Sequence, residues 1–251
     1  MNAMKEAPSA NGLAVAVLPA RGGSKRFPRK NIAPLAGRPL LAYPIMAALQ
    51  ASRIDAVYVS TEDDEIASVA EHWGALVPFR RPSELAGDQV TADAAVADML
   101  RRLRDEQDLV IDIVVLIQPT SPFITAAHID AAVARLRNEL DLDSVTTMTE
   151  LDHRHHPYNL AYPGEVGRWE FICAAERQAA RTRQSKPVAL KFGNLFAARN
   201  ETMLNEGRFG KVKGSVLIDP IYAWDIDYPW ELHAAESLLL NGFVDLPHLL
   251  P

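Results

Sequence analysis

The chain has 251 residues, of which 48% are hydrophobic, and a formal net charge of -6. That length and apolar content suffice for a sizeable core, while the acidic balance argues against general binding to nucleic acid or an anionic membrane surface. A single cysteine, Cys173, excludes an internal disulfide framework and leaves the cytoplasm as the default compartment.

Residues 1–12 are mixed and polar and lead into only a short apolar run, so they read as a loose tail rather than a signal peptide or membrane span. From residue 13 a β-α alternation sets in. Strand-like runs at 13–18, 56–60, 76–79, 113–117 and 144–148 alternate with helical patterns at 40–51, 62–73, 91–104 and 126–136. Continuous apolar runs such as Ile113-Val-Val-Leu-Ile117 suit strands covered on both faces, as in a parallel sheet. Right-handed crossovers then predict a doubly wound, mostly parallel, Rossmann-like α/β fold with ligands at the C-terminal ends of the strands. After residue 150 the rhythm breaks. Residues 151–190 read as an excursion from one domain spanning 13–251, and regularity returns with runs at 193–198 and 214–218, the segment 222–227 and a closing helix at 230–240.

The first strand feeds Leu18-Pro-Ala-Arg-Gly-Gly-Ser-Lys-Arg-Phe-Pro-Arg-Lys-Asn31, where a glycine pair permits a tight turn and five cations crowd one loop. Backbone N–H groups and cations in such a loop suit the phosphates of a nucleoside triphosphate. Neither a Walker A loop nor a G-x-G-x-x-G fingerprint is present. Further along, Arg80-Arg-Pro-Ser-Glu-Leu-Ala-Gly-Asp88 reads equally as a base or phosphate contact and as an ordinary polar loop. Gln118-Pro-Thr-Ser-Pro122 is a rigid turn in which Gln118 offers a donor and an acceptor. Asp225 and Asp227, two residues apart on a strand, would share a face and meet one hard cation such as magnesium. The plainer alternative makes Asp227 the cap of the final helix. His153, His155 and His156 form a polar lip rather than a zinc site, and 61–65 reads as an acidic helix start.

Taken in order, these motifs resemble the acylneuraminate cytidylyltransferases, also called CMP-sialic acid synthetases. The family's P-A-R-G-G-S-K-x-x-P-x-K-N is similar to residues 19–31, and V-S-T-D-D-x-x-I-A to Val59-Ser-Thr-Glu-Asp-Asp-Glu-Ile-Ala67. R-P-x-x-L-A-x-D is matched at 81–88, L-x-Q-P-T-S-P at 116–122, H-H-P at 155–157 and D-x-D at 225–227. The resemblance implies the nucleotide-diphospho-sugar transferase type of sheet and a reaction of CTP with a nine-carbon 2-keto sugar acid, giving the CMP-sugar and pyrophosphate. It implies that Arg21, Gly22, Gly23, Ser24 and Lys30 hold the triphosphate, that Asn31 and Arg81 place the nucleotide, and that Gln118 contacts the sugar. Asp225 and Asp227 would bind Mg2+, acting in catalysis with Arg21 and Lys30. Residues 151–190 would serve as the dimerisation element of a homodimer.

The sugar side departs from the family pattern. Asn159 stands where relatives that use sialic acid often carry a basic residue, and Lys191 of Lys191-Phe-Gly-Asn194 stands where they carry arginine. Arg183 matches a second arginine near the sugar. A lysine keeps the charge but loses the bidentate fork. The acceptor expected is therefore a legionaminate-, pseudaminate- or Kdo-like acid rather than N-acetylneuraminate. The alternatives are a nucleotidyltransferase for Kdo or a sugar phosphate, and a CTP-binding regulator without catalysis.

Overall fold

A computed structural model describes residues 12–249, so the expected tail lies, apart from Gly12, outside the described residues. Strand β1 (Leu13–Pro19) is followed by the small β2 (Pro34–Leu35) and β3 (Arg38–Pro39) pair, helix α1 (Ala42–Gln50), strand β4 (Ala56–Ser60) and helix α2 (Asp64–His72). Next come α3 (Ala92–Gln107), β5 (Ile111–Ile117), α4 (Ala126–Asn138) and β6 (Ser144–Glu150). The excursion holds β7 (Ala161–Pro163), β8 (Trp169–Phe171) and α5 (Ala174–Ala179). The chain closes through β9 (Leu190–Arg199), α6 (Asn200–Asn205), β10 (Lys213–Leu217) and α7 (Pro229–Leu240).

The main sheet has the order β10-β6-β9-β5-β1-β4. β1 runs parallel to β4 and β5, and β10 parallel to β6, while β9 runs against both of its neighbours, β5 and β6. Alternation along β1 explains the two-sided core. Ala14, Ala16 and Leu18 join one cluster with Ile45, Ile66, Ile129 and Val133 from α1, α2 and α4. Leu13, Val15 and Val17 join another with Val96, Leu100 and Leu103 of α3 and Met203 of α6. Each buried branched side chain contributes about 1.5–3 kcal/mol. A third cluster packs α7 through Leu232 and Ala235 onto Leu35, Tyr43, Phe123 and Ile226.

Two expectations need correction. The run 76–79 is not a strand: only isolated bridges pair Leu76 with Tyr58 and Arg80 with Thr61. Pro78 lies between them and has no N–H to give a ladder. The segment 222–227 is not a strand either. A 3-10 turn spans Pro220–Ala223, and 224–227 has no regular structure. One backbone bond, from Ile226 N to Thr120 O at 3.1 Å, ties it to the turn after β5.

β9 passes close to β6 at Gly193. A Cβ there would stand 2.3 Å from Thr147 Oγ1 and 3.1 Å from its carbonyl oxygen, so only glycine fits beside the irregular register between Thr146 and Met148.

Candidate active site

The loops after β1, β4, β5 and β6 leave one edge of the sheet, the C-terminal edge of its parallel strands. Gly22 lets the first loop approach α2 closely: a Cβ there would lie 2.7 Å from Asp63 Oδ2. Gly22 N donates to Glu62 Oε1 at 2.7 Å, so this amide, expected to meet phosphate, is committed within the protein. The Gly23 amide has no protein partner among the described residues.

The cations of the loop meet carboxylates. Arg21 Nη1 lies 3.2 Å from Asp88 and also donates to Gly87 O, while Lys25 pairs with the same Asp88. Arg29 adopts the left-handed region with φ 58°, an uncommon place for a side-chain-bearing residue, and its guanidinium bonds Asp63 and Glu65. Asp63 also caps α2, accepting from Glu65 N and Ile66 N at 3.0 Å. The Arg29 guanidinium and these amides hold the Asp63 carboxyl below its ordinary value. A cavity of about 410 Å³ opens over this loop, lined among others by Gly22, Gly23, Ser24, Gly87 and Asp88.

Arg29's turn leads straight into Lys30, whose side chain is only 14% exposed and whose Nζ lies 2.7 Å from Asp227 Oδ1. These residues are 197 positions apart in sequence. Asp225 accepts from Thr120 Oγ1, and burial, together with the neighbouring Asp227, pushes its carboxyl above its ordinary value. Glu231 Oε2 accepts from Asp227 N at 2.6 Å and Tyr228 N at 2.8 Å, and Tyr228, not Asp227, is the N-cap residue of α7. That bonding frees the Asp227 carboxylate from capping. The pair fits a magnesium ion: both donors are hard oxygens, and a cation would offset the cost of ionising Asp225 where it is buried. Magnesium is commonly held by one or two carboxylates, with water and phosphate oxygens completing its shell.

Asn31 and Arg81 are turned inward. Asn31 Nδ2 donates to Arg21 O at 2.9 Å and fixes the loop from below. Arg81 is buried, donating Nε to Ser60 Oγ at 3.1 Å and Nη2 to Ser60 O. Both residues build the loop's floor in this structure. Gln118 sits on the turn after β5, its N donating to Asn194 O at 3.1 Å, and Asn194 Nδ2 donates to Trp224 O at 2.8 Å beside the carboxylates.

A second cavity of about 440 Å³ lies beyond the ends of β6 and β9, and it brings Arg183 and Lys191 together with His153, His155, His156 and Lys186. Glu150 and Asp152 also line it, and Arg154 holds the Asp152 carboxyl well below the usual carboxylate range. His156 is buried, accepting from Tyr158 N through Nδ1 and bonding Pro187 O through Nε2 at 3.0 Å, which locks the histidine loop to the strand entering β9. The His156 ring thus serves the loop's structure.

Glu62, Thr120 and Lys186 were missed as site residues by sequence reasoning. Thr120 lay inside a recognised motif; the partner of Lys186 could be found only from the fold.

Among the described residues no helix is long and apolar enough to cross a membrane. Residues 15–162 match the family model described as cytidylyltransferase. The pseudaminic acid cytidylyltransferase of Campylobacter jejuni is 40% identical over 224 residues, covering 88% of this chain and 94% of that protein. The CMP-N,N'-diacetyllegionaminic acid synthase of Legionella pneumophila is 48% identical over 109 residues, 43% of this chain and 47% of the relative. N-acylneuraminate cytidylyltransferase A of Danio rerio is 31% identical, over 90% of this chain and 50% of its own length. Among solved structures, CMP:2-keto-3-deoxy-manno-octonic acid synthetase complexed with CTP shares the fold with a TM-score of 0.69 at 17% identity, covering 92% of this chain and 99% of the other. With these matches and the motifs assembled at one sheet edge, the chain belongs to the cytidylyltransferase family.

Proposed function

We propose that the protein transfers a cytidylyl group from CTP to a nine-carbon 2-keto sugar acid of the legionaminate or pseudaminate class, releasing pyrophosphate. The observation that carries this reading is the approach of Lys30, from the basic loop, to Asp227, beside Asp225. A phosphate-binding cation and a carboxylate pair thereby meet at one point.

The anomeric hydroxyl oxygen bonds to the α-phosphorus as the bond from that phosphorus to the oxygen bridging to the β-phosphate breaks. Such a displacement needs positioning and charge neutralisation more than covalent help. Arg21, Ser24, Lys30 and the Gly23 amide hold the triphosphate, while Asn31 and Arg81 keep the loop in shape. Bound at Asp225 and Asp227, Mg2+ would supply Lewis-acid polarisation and offset the charge of the leaving pyrophosphate. Gln118, Arg183 and Lys191 face the acceptor side.

The exposed Tyr162, Trp169 and Ile172 around the β7–β8 hairpin support a homodimer formed through the excursion. The single Cys173, which is free, supports a cytoplasmic enzyme.

Pyrophosphate release, measured with each nucleoside triphosphate and a panel of acids, tests the reading. CTP and a legionaminate- or pseudaminate-type acid give the highest kcat/KM. A clear preference for N-acetylneuraminate overturns the acceptor class, and tight CTP binding without turnover on any acid overturns catalysis.

A further inference from the structure

Lys186, which lines the second cavity, shares an uncharged partner with Arg177. Asn159 Oδ1 accepts from Lys186 Nζ at 2.6 Å and from Arg177 Nη1 at 2.6 Å. Asn159 is itself held firmly, its Nδ2 donating to His153 O at 2.6 Å and its N to His156 O at 2.7 Å. Arg177 is occupied elsewhere: it donates to Tyr158 O at 2.9 Å and lies 4.2 Å from the centre of the Phe171 ring. Lys186 lines the cavity. Among the described residues Lys186, Arg183 and Lys191 form no ion pair.

An ammonium has three donor hydrogens, and an amide oxygen orients one without cancelling the charge. A carboxylate at position 159 would do both. The arrangement therefore leaves Lys186, which lines a cavity large enough for a sugar, oriented by a neutral partner and with donor hydrogens to spare. We propose that Lys186 binds the carboxylate of the sugar acid and that Asn159 is the positioning residue that holds it there. The proposal rests on the functional reading above.

Steady-state kinetics of the full-length enzyme test it, with CTP affinity measured alongside and with the preferred acid compared with its carboxamide. Lys186→Met raises the KM for the acid by about tenfold, leaves CTP affinity within about twofold, and no longer distinguishes the acid from its carboxamide. Lys186→Arg keeps most of the acid's affinity because it keeps the charge. Asn159→Ala raises the same KM by about threefold, and adding it to Lys186→Met costs nothing further, since it acts through Lys186. An unchanged KM in Lys186→Met, or an equal loss of CTP affinity, overturns the proposal. Additive effects of the two substitutions overturn the role of Asn159. If the wild-type protein turns over none of the acids while binding CTP, the functional reading fails first and takes the proposal with it.

Discussion

In the loop after β1, Arg21, Lys25, Arg29 and Lys30 each meet a carboxylate, whereas Lys186 in the second cavity is held by an amide oxygen. The two regions are both rich in positive charge, yet they keep it differently. The first uses acids from α2, the 81–88 loop and the 225–227 segment to shape a loop rich in cations. A triphosphate carries enough negative charge to compete with those partners. A sugar acid brings one carboxylate, and a site already neutralised would attract it weakly; a neutral holder preserves the pull. Charge-paired preparation suits a polyanion, and uncharged preparation suits a monoanion.

Three substitutions sharpen that contrast. Asp225→Asn has the largest expected effect, lowering kcat by about a hundredfold or more through loss of the cation site. Its stability effect runs the opposite way. Because the folded-state value of Asp225 is raised, its ionisation weighs against the fold above 3.8, so the unliganded variant melts higher than wild type at pH 7. The difference disappears as pH falls below 3.8, which a thermal melt series without magnesium or nucleotide reads directly.

Asp63→Ala removes a helix cap and the partner of Arg29, costing about 1–2 kcal/mol in urea unfolding at pH 7. Asp63 has a lowered folded-state value, so that deficit is complete above 3.8 and closes as pH falls through the folded value. Asp88→Asn has the smallest effect. It frees Arg21 and Lys25 from an exposed partner, and CTP binds about threefold more tightly at low salt, with the gain fading as salt rises.

The sequence made the first region legible and the second only in outline. The glycine pair, the cations and the strand before them are contiguous, so a strand feeding a basic, glycine-containing loop is legible as one local pattern. What could not be read was how the loop is held. Gly22 meets Glu62 across 40 positions and Lys30 meets Asp227 across 197, and no local pattern encodes such pairs. Asp225 and Asp227 were singled out on a strand that is absent; Thr120 and Glu231 organise the segment instead. Asn159 stood out as an oddity in a motif, but its work depends on Lys186, 27 positions away. The β rhythm also fails at Pro78, whose missing N–H leaves only isolated bridges on either side.

The excursion begins and ends at the same rung. Glu150 pairs with Leu190, and Leu151 N donates to Ala189 O at 2.8 Å, so the intervening stretch departs from and returns to neighbouring points on β6 and β9. A segment anchored in that way can change length or composition without shifting the sheet. On the proposed function, exchanging this cassette between relatives would retune the choice of sugar and leave the loop after β1 untouched.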